Sequence, residues 1–207
     1  TEKYGVVHPT KAGLKIPQIF DAAINSEVKA LWIIGEDVVQ TDPNSAHVAK
    51  AMNALDLLVV QEIFLSETAK HADVVLPGTT FLEKDGTFTN TERRVQRVNR
   101  AAKPLPGTKP DGVIVTEMMQ KLGSNQPIYD ADEVLAEIAD VVPFFKGITR
   151  ERLGKLGLQW PVKEDGTDTQ ILHTETFKLG KGRLKNFDWK ESNEIKTNKK
   201  DYPLILT

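Results

Sequence analysis

An α/β fold, with a mostly parallel sheet and flanking helices, is predicted for most of this chain by three observations. Three short apolar runs, at residues 30–34, 57–60 and 73–76, each end in a polar or glycine-containing loop. Segments with apolar residues at helical spacing separate them, the pattern of parallel strands joined by crossover helices. The character then changes after Trp160-Pro161, where a polar, turn-rich stretch leads into a short β-hairpin appendage. The expected domains are therefore residues 1–160 and residues 161–207.

The elements follow in order. A short helix starts at residues 16–20, and Pro17 suits its first turn, where an N–H would lack a partner in any case. Residues 30–34 (Ala-Leu-Trp-Ile-Ile) stop at Gly35, as expected for a strand buried on both faces. Asp42 reads as an N-cap with Pro43 at the first helical position, and Val48, Met52 and Leu55 recur at helical spacing. Residues 57–60 form a second buried strand. Ser66 caps a short helix with Ala69 inward, and the third strand stops at Pro77-Gly78. The basic stretch 83–110 reads as a long loop, kept ordered by Phe88, Val95 and Val98. Pro110 begins a helix with Val113, Ile114, Met118 and Leu122 inward and Gly123 just past its end. A helix near 132–142 carries Val134, Leu135, Ile138 and Val142 on one stripe. Thr149 caps a last helix through Leu156, ended by Gly157. Residues 171–177 and 183–189 read as two strands around Gly180-Lys181-Gly182. The apolar Leu204-Ile205-Leu206 reads as the opening strand of a further domain, since such a strand needs a partner.

Composition narrows the function classes. With 40% apolar and 27% charged residues, the chain has the make-up of an ordinary soluble globular protein. The 27 Lys and Arg against 29 Asp and Glu leave a net charge of −2, which drives it toward neither nucleic acid nor membrane. No apolar run approaches the roughly 18–20 residues of a spanning helix, so no membrane insertion is expected. The chain has no cysteine, and so can ligate no thiolate-bound cluster; its four scattered histidines show no metal-ligand spacing. A phosphate loop of the Gly-x-x-x-x-Gly-Lys-Ser/Thr type, a Gly-x-Gly-x-x-Gly fingerprint and a Gly-x-Ser-x-Gly elbow are all missing.

The candidate binding residues gather where the strands end. In open α/β sheets of the dinucleotide-binding kind, ligands lie in the crevice beyond the carboxyl ends of the strands. After the first strand come Gly35, Glu36, Asp37 and, further on, Thr41. A carboxylate there can accept paired hydrogen bonds from N1 and N2 of guanine, although acidic residues also commonly do no more than solvate a turn. Gln61 and Glu62 end the second strand, Gln61 offering both donor and acceptor to a ribose or base edge. Gly78 ends the third and lets backbone approach a ligand. In the basic stretch, Arg93, Arg94, Arg97 and Arg100 are either solvated or face a pyrophosphate. Spaced this closely on an extended chain, one or two of them are expected inward.

The run Glu-Lys-Asp-Gly-Thr-Phe-Thr-Asn-Thr-Glu-Arg-Arg at 83–94, together with Ile-Gly-Glu-Asp at 34–37 and Val-Val-Gln-Glu-Ile-Phe at 59–64, resembles the large catalytic subunit of molybdenum- or tungsten-dependent formate dehydrogenases. That family has Gly-Glu-(Asp/Asn)-Pro at the first site, where Val38 replaces the proline here, and usually Asp at the position of Glu62. The resemblance runs from about Leu14 to the end. It implies that Gly35, Glu36, Asp37, Thr41, Gln61, Glu62 and Gly78 contact a molybdopterin guanine dinucleotide, one of two that hold the metal. It also implies that Gly86, Thr87, Asn90 and Arg93 approach the pterin and a [4Fe-4S] cluster. The cluster cysteines and metal-bound residue would belong to upstream sequence, so the chain reads as an interior segment, inactive alone, within a subunit that oxidises formate to carbon dioxide. The implied partners are the rest of that subunit and electron-transfer subunits, in the cytoplasm, without nucleic acid. Two alternatives remain: a related molybdopterin enzyme, such as a nitrate reductase or the large NADH dehydrogenase subunit, and a stand-alone binding module.

Overall fold

The computed structural model describes residues 3–192, 196 and 200–204. They form two compact units, Thr1–Gln170 and Ile171–Thr207. The first unit holds a parallel sheet of β1 (Ala30–Ile34), β2 (Leu57–Glu62) and β3 (Val74–Pro77) in the order β1-β2-β3. Helix α1 (Ile16–Ile24) precedes β1 and α3 (Ser45–Asn53) links β1 to β2, as expected from the sequence, while the short α2 (Val38–Thr41) forms where a loop was expected. A second sheet is antiparallel, with β4 (Gly86–Thr89), β5 (Arg94–Val98) and β6 (Leu158–Gln159), accompanied by α4 (Asp111–Lys121), α5 (Ala131–Val141) and α6 (Arg150–Leu153).

Alternation along β2 explains which sheet face is buried. Leu58 and Val60 point toward α1 and α3, where Phe20, Ala23, Val48, Ala51 and Met52 complete the core with Ala69. Each fully buried side chain here, such as Leu58 or Met52, contributes about 1.5–3 kcal/mol. The opposite face is thinly covered. On that face the strand-terminal Ile34, Leu57 and Val74 are exposed and Trp32 is only half-buried, so β1 is not buried on both faces as expected. A second core sits under the antiparallel sheet: Val95, Leu135, Ile148, Leu153 and Val162, flanked by Phe145, Leu158 and Trp160.

Several local expectations are corrected. Asp42 is not the helix cap; Asn44 is, its side chain accepting from the His47 N–H at 3.2 Å, while Asp42 accepts from Asn44 N–H at 3.0 Å. The helix after Thr149 stops at Leu153, because Gly154 leaves the helical conformation at φ +49°. The stretch 83–110 is no simple loop but contains the β4–β5 ribbon, paired from Gly86↔Val98 to Thr89↔Val95. The α5 stripe buries only Leu135.

In the second unit the expected β-hairpin is absent: no strand forms among its described residues. Gly180, at φ +74°, does close a turn, its N–H donating to Phe177 O at 2.9 Å. Leu179, Leu184, Phe187 and Trp189 nevertheless stand exposed. A two-stranded ribbon whose apolar side chains bury against nothing is marginal in water. The strand expected at 204–206 falls largely on residues 205–207, outside the described set.

Candidate functional site

Backbone hydrogen bonds align the three parallel strand ends. Gly35 N–H donates to Gln61 O at 2.9 Å, and Gly78 N–H to Glu62 O at 3.0 Å. The register pairs Ile34 with Gln61 and Glu62 with Pro77. Gly35, Gln61, Glu62 and Gly78 therefore meet at one sheet edge, as the sequence predicts. Gly35 adopts φ +63°, a conformation glycine takes without strain.

Around this edge the polar groups divide by what they already bind. Glu36 accepts from the Thr41 hydroxyl at 2.8 Å, both exposed. Asp37 turns inward: it accepts from Thr68 N–H and hydroxyl and from Glu67 N–H. Burial alone would raise its pKa, but these hydrogen bonds outweigh that and hold the carboxyl below the usual range. Glu62 folds back onto the N–H of Ile63 at 2.7 Å.

Gln61 is the buried member, 1% exposed. Its Nε2 donates to Asp111 Oδ1 at 2.8 Å, and Asp111 Oδ2 accepts from Lys84 Nζ. Asp111 arrives because residues 77–79 exchange backbone hydrogen bonds with Lys109, which sets the start of α4 beside the edge. Gly78 makes room: a Cβ there would lie 3.1 Å from Asp111 Oδ1. The Asp111 carboxyl is lowered overall; burial pushes it up, and Lys84 and Gln61 pull it further down. Two buried polar atoms at this edge have no hydrogen-bond partner in the protein, Gln61 Oε1 and Thr79 Oγ1.

A cleft of about 210 Å³ runs from Lys84 and Asp111 past Gly86 and Thr87 to Tyr129. It lies between the first part of the basic stretch and the start of α4. Tyr129 lies over the start of α4 so closely that a Cβ on Gly112 would come within 2.4 Å of its ring carbons. Burial, with the charges of Asp130 and Asp111, raises its phenol pKa.

Asn90 and Arg93 lie elsewhere, in the turn at the far end of the β4–β5 ribbon. Asn90 Oδ1 accepts from Glu92 N–H and Arg94 N–H, both at 3.0 Å. Arg93, at φ +66°, sends its guanidinium to the carbonyl oxygens of Trp160, Thr169 and Gln170. Of the four arginines it is therefore turned inward, its donors engaged by backbone. Asp111 and Thr79 escaped the sequence reading. Asp111 reads as an ordinary helix-start residue, and nothing in the spacing ties it to a glutamine 50 positions earlier.

The family model for the molybdopterin oxidoreductases matches residues 7–121. The chain belongs to that family. Membership implies a molybdopterin cofactor with molybdenum or tungsten. The relatives include the F420-dependent formate dehydrogenase subunit alpha of Methanocaldococcus jannaschii, 43% identical over 199 residues, which cover 95% of this chain and 29% of that protein. The F420-dependent formate dehydrogenase 2 subunit alpha of Methanococcus maripaludis is 44% identical over 94% of this chain and 29% of its own length. The probable oxidoreductase YjgC of Bacillus subtilis is 42% identical over 93% and 20%. The chain thus spans about three-tenths or less of these curated relatives. Among solved structures, acetylene hydratase from Pelobacter acetylenicus superposes with a TM-score of 0.54 and 23% identity, over 64% of this chain and 19% of that one; the likeness is one of fold.

The strand edge suits part of such a cofactor. It offers two glycines for close backbone approach, carboxylates at Glu36 and Glu62, and the buried oxygens of Gln61 and Thr79 without protein partners. No group of three or more His, Cys, Asp or Glu is arranged to hold a metal among the described residues, and no described helix is long and apolar enough to cross a membrane.

Proposed function

We propose that this chain is part of a formate dehydrogenase catalytic subunit and forms one wall of the cradle for a molybdopterin guanine dinucleotide. The carrying observation is the strand edge, where Gly35, Gln61, Glu62 and Gly78 converge and Gln61 keeps a buried oxygen without a protein donor. The names of the relatives in M. jannaschii and M. maripaludis support the substrate class.

In this reading the whole subunit takes formate to carbon dioxide, one proton and two electrons. The bound molybdenum or tungsten supplies the site that accepts those electrons. The chain's own residues bind and orient. Glu36 and Thr41 take the nucleotide beyond β1, Gln61 and Glu62 beyond β2, and backbone at Gly35 and Gly78 approaches it closely. Gly86 and Thr87 line the cleft toward the pterin. Asp37, Asn90 and Arg93 act through the loops that they hold. The [4Fe-4S] cluster and the electron-transfer partners belong with the rest of the subunit and its assembly, in a cytoplasmic setting that fractionation of the source cells would check.

The test is to purify the full-length polypeptide that contains this segment, then assay formate-dependent and nitrate-dependent turnover and measure released guanine nucleotide and iron. Formate turnover with guanine release supports the reading. Nitrate turnover without formate turnover favours a related molybdopterin oxidoreductase. The isolated 207-residue chain is expected to show no formate oxidation.

A further inference from the structure

We infer that Asp111 is a positioning residue that fixes which end of the Gln61 amide the strand edge presents, so that Gln61 offers a carbonyl acceptor and selects a ligand N–H or O–H donor. The inference rests on the reading of this edge as the dinucleotide wall.

A glutamine amide is nearly symmetric in shape, and its polarity is set by its partners. Gln61 has one protein partner, Asp111 Oδ1 at 2.8 Å. The other oxygen of Asp111 pairs with Lys84. Beside an ammonium the carboxyl is ionised, and an ionised carboxylate only accepts hydrogen bonds. Gln61 must therefore turn its NH2 group to Asp111, which leaves Oε1 as the unpartnered end. Burying that acceptor without a donor is unfavourable, and the glutamine is 1% exposed. An orphan at a ligand-binding sheet edge is what an incoming donor would satisfy. Gly78 completes the device, because any side chain there would press on the carboxylate that sets the polarity.

The polarity is testable by exchanging the acid and the amide in the full-length subunit, produced in a host that makes the cofactor. The variants are Gln61→Met, Gln61→Glu, Asp111→Asn and the double variant Gln61→Glu with Asp111→Asn. Each is nearly isosteric. The readouts are pterin per subunit, by fluorescence after oxidation, and the melting temperature of the cofactor-free form. Gln61→Glu sets two carboxylates against each other, and pterin retention should fall about tenfold. Asp111→Asn should lose less, because an asparagine no longer dictates which way Gln61 lies. The double variant should recover most of the retention, since the amide introduced at position 111 donates to one oxygen of the carboxylate introduced at position 61 and leaves the other as acceptor.

Wild-type retention in all four variants would overturn both this inference and the role of Gln61 in the proposed cradle. Loss in Gln61→Met, with Asp111→Asn at the wild-type level or no recovery in the double variant, would overturn the positioning role and leave the cradle standing. Unchanged retention with lowered melting temperatures would make the pair a structural contact only, and would likewise overturn the inference.

Discussion

Asp37 and Thr68 are joined twice: one carboxylate oxygen accepts from both the Thr68 N–H, at 2.9 Å, and the Thr68 hydroxyl, at 2.6 Å. The same hydroxyl oxygen accepts from Val39 N–H at 3.0 Å, so the loop after β1 is tied to the helical turn before β3. Asp37→Asn offers an NH2 group where a donor is already present. The expected loss is about 1 kcal/mol at this partly solvated site, read as a lower denaturant midpoint with an unchanged slope.

Acid should unfold the first unit early. Asp37, Glu83 and Asp111 all have carboxyls lowered in the folded protein. The unfolded chain, with values of about 4, then binds more protons than the folded one as the pH falls through that range. The stability these groups contribute is full above the unfolded values and is lost as pH drops through the folded ones. Melting temperature measured from pH 7 to pH 3 should fall, and Asp37→Asn should flatten the slope. An equal slope in that variant would contradict the assignment.

Gly78→Ala should destabilise by about 1 kcal/mol through crowding. Asp111 is held by Gln61 on one oxygen and Lys84 on the other, so its carboxylate cannot easily retreat from a Cβ at 3.1 Å. Adding Asp111→Ala should remove the penalty specific to the alanine. Thermal melts of the two singles and the double give the coupling directly.

Arg93→Lys keeps the charge and loses the fork. Three carbonyl oxygens, of Trp160, Thr169 and Gln170, are gathered by one guanidinium, a geometry lysine cannot reproduce. Residues 160–170 should then be cleaved faster in limited proteolysis. Cleavage at the wild-type rate would show that the β6 pairing and Val162 hold this segment unaided.

Much of this architecture was legible in the chain because burial wrote it there. Continuous apolar runs marked β1 and β2, and the residues that interrupt them, Gly35 and Gln61, marked the sheet edge proposed as the dinucleotide wall. The β4–β5 ribbon was not legible, since Thr87, Phe88, Gln96 and Arg97 are exposed and no alternation separates its faces. The hairpin expected at 171–189 had the turn residues, but its apolar side chains stay exposed and do not hold two strands together. Asp111 was invisible for a different reason. Its role comes from the pairing of Gly78 with Lys109, a tertiary event that no local pattern encodes.

The close approach of Tyr129 to Gly112 has a meaning on the timescale of divergence. The ring occupies the volume into which any side chain at 112 would grow, so the two positions cannot drift independently. Homologues bearing a bulky residue at 112 should carry a small one at 129 or turn that loop aside, and an aromatic at 129 should coincide with glycine at 112. The pair is expected to behave as a single inherited character spread over two sites 17 residues apart, exchanged whole between lineages.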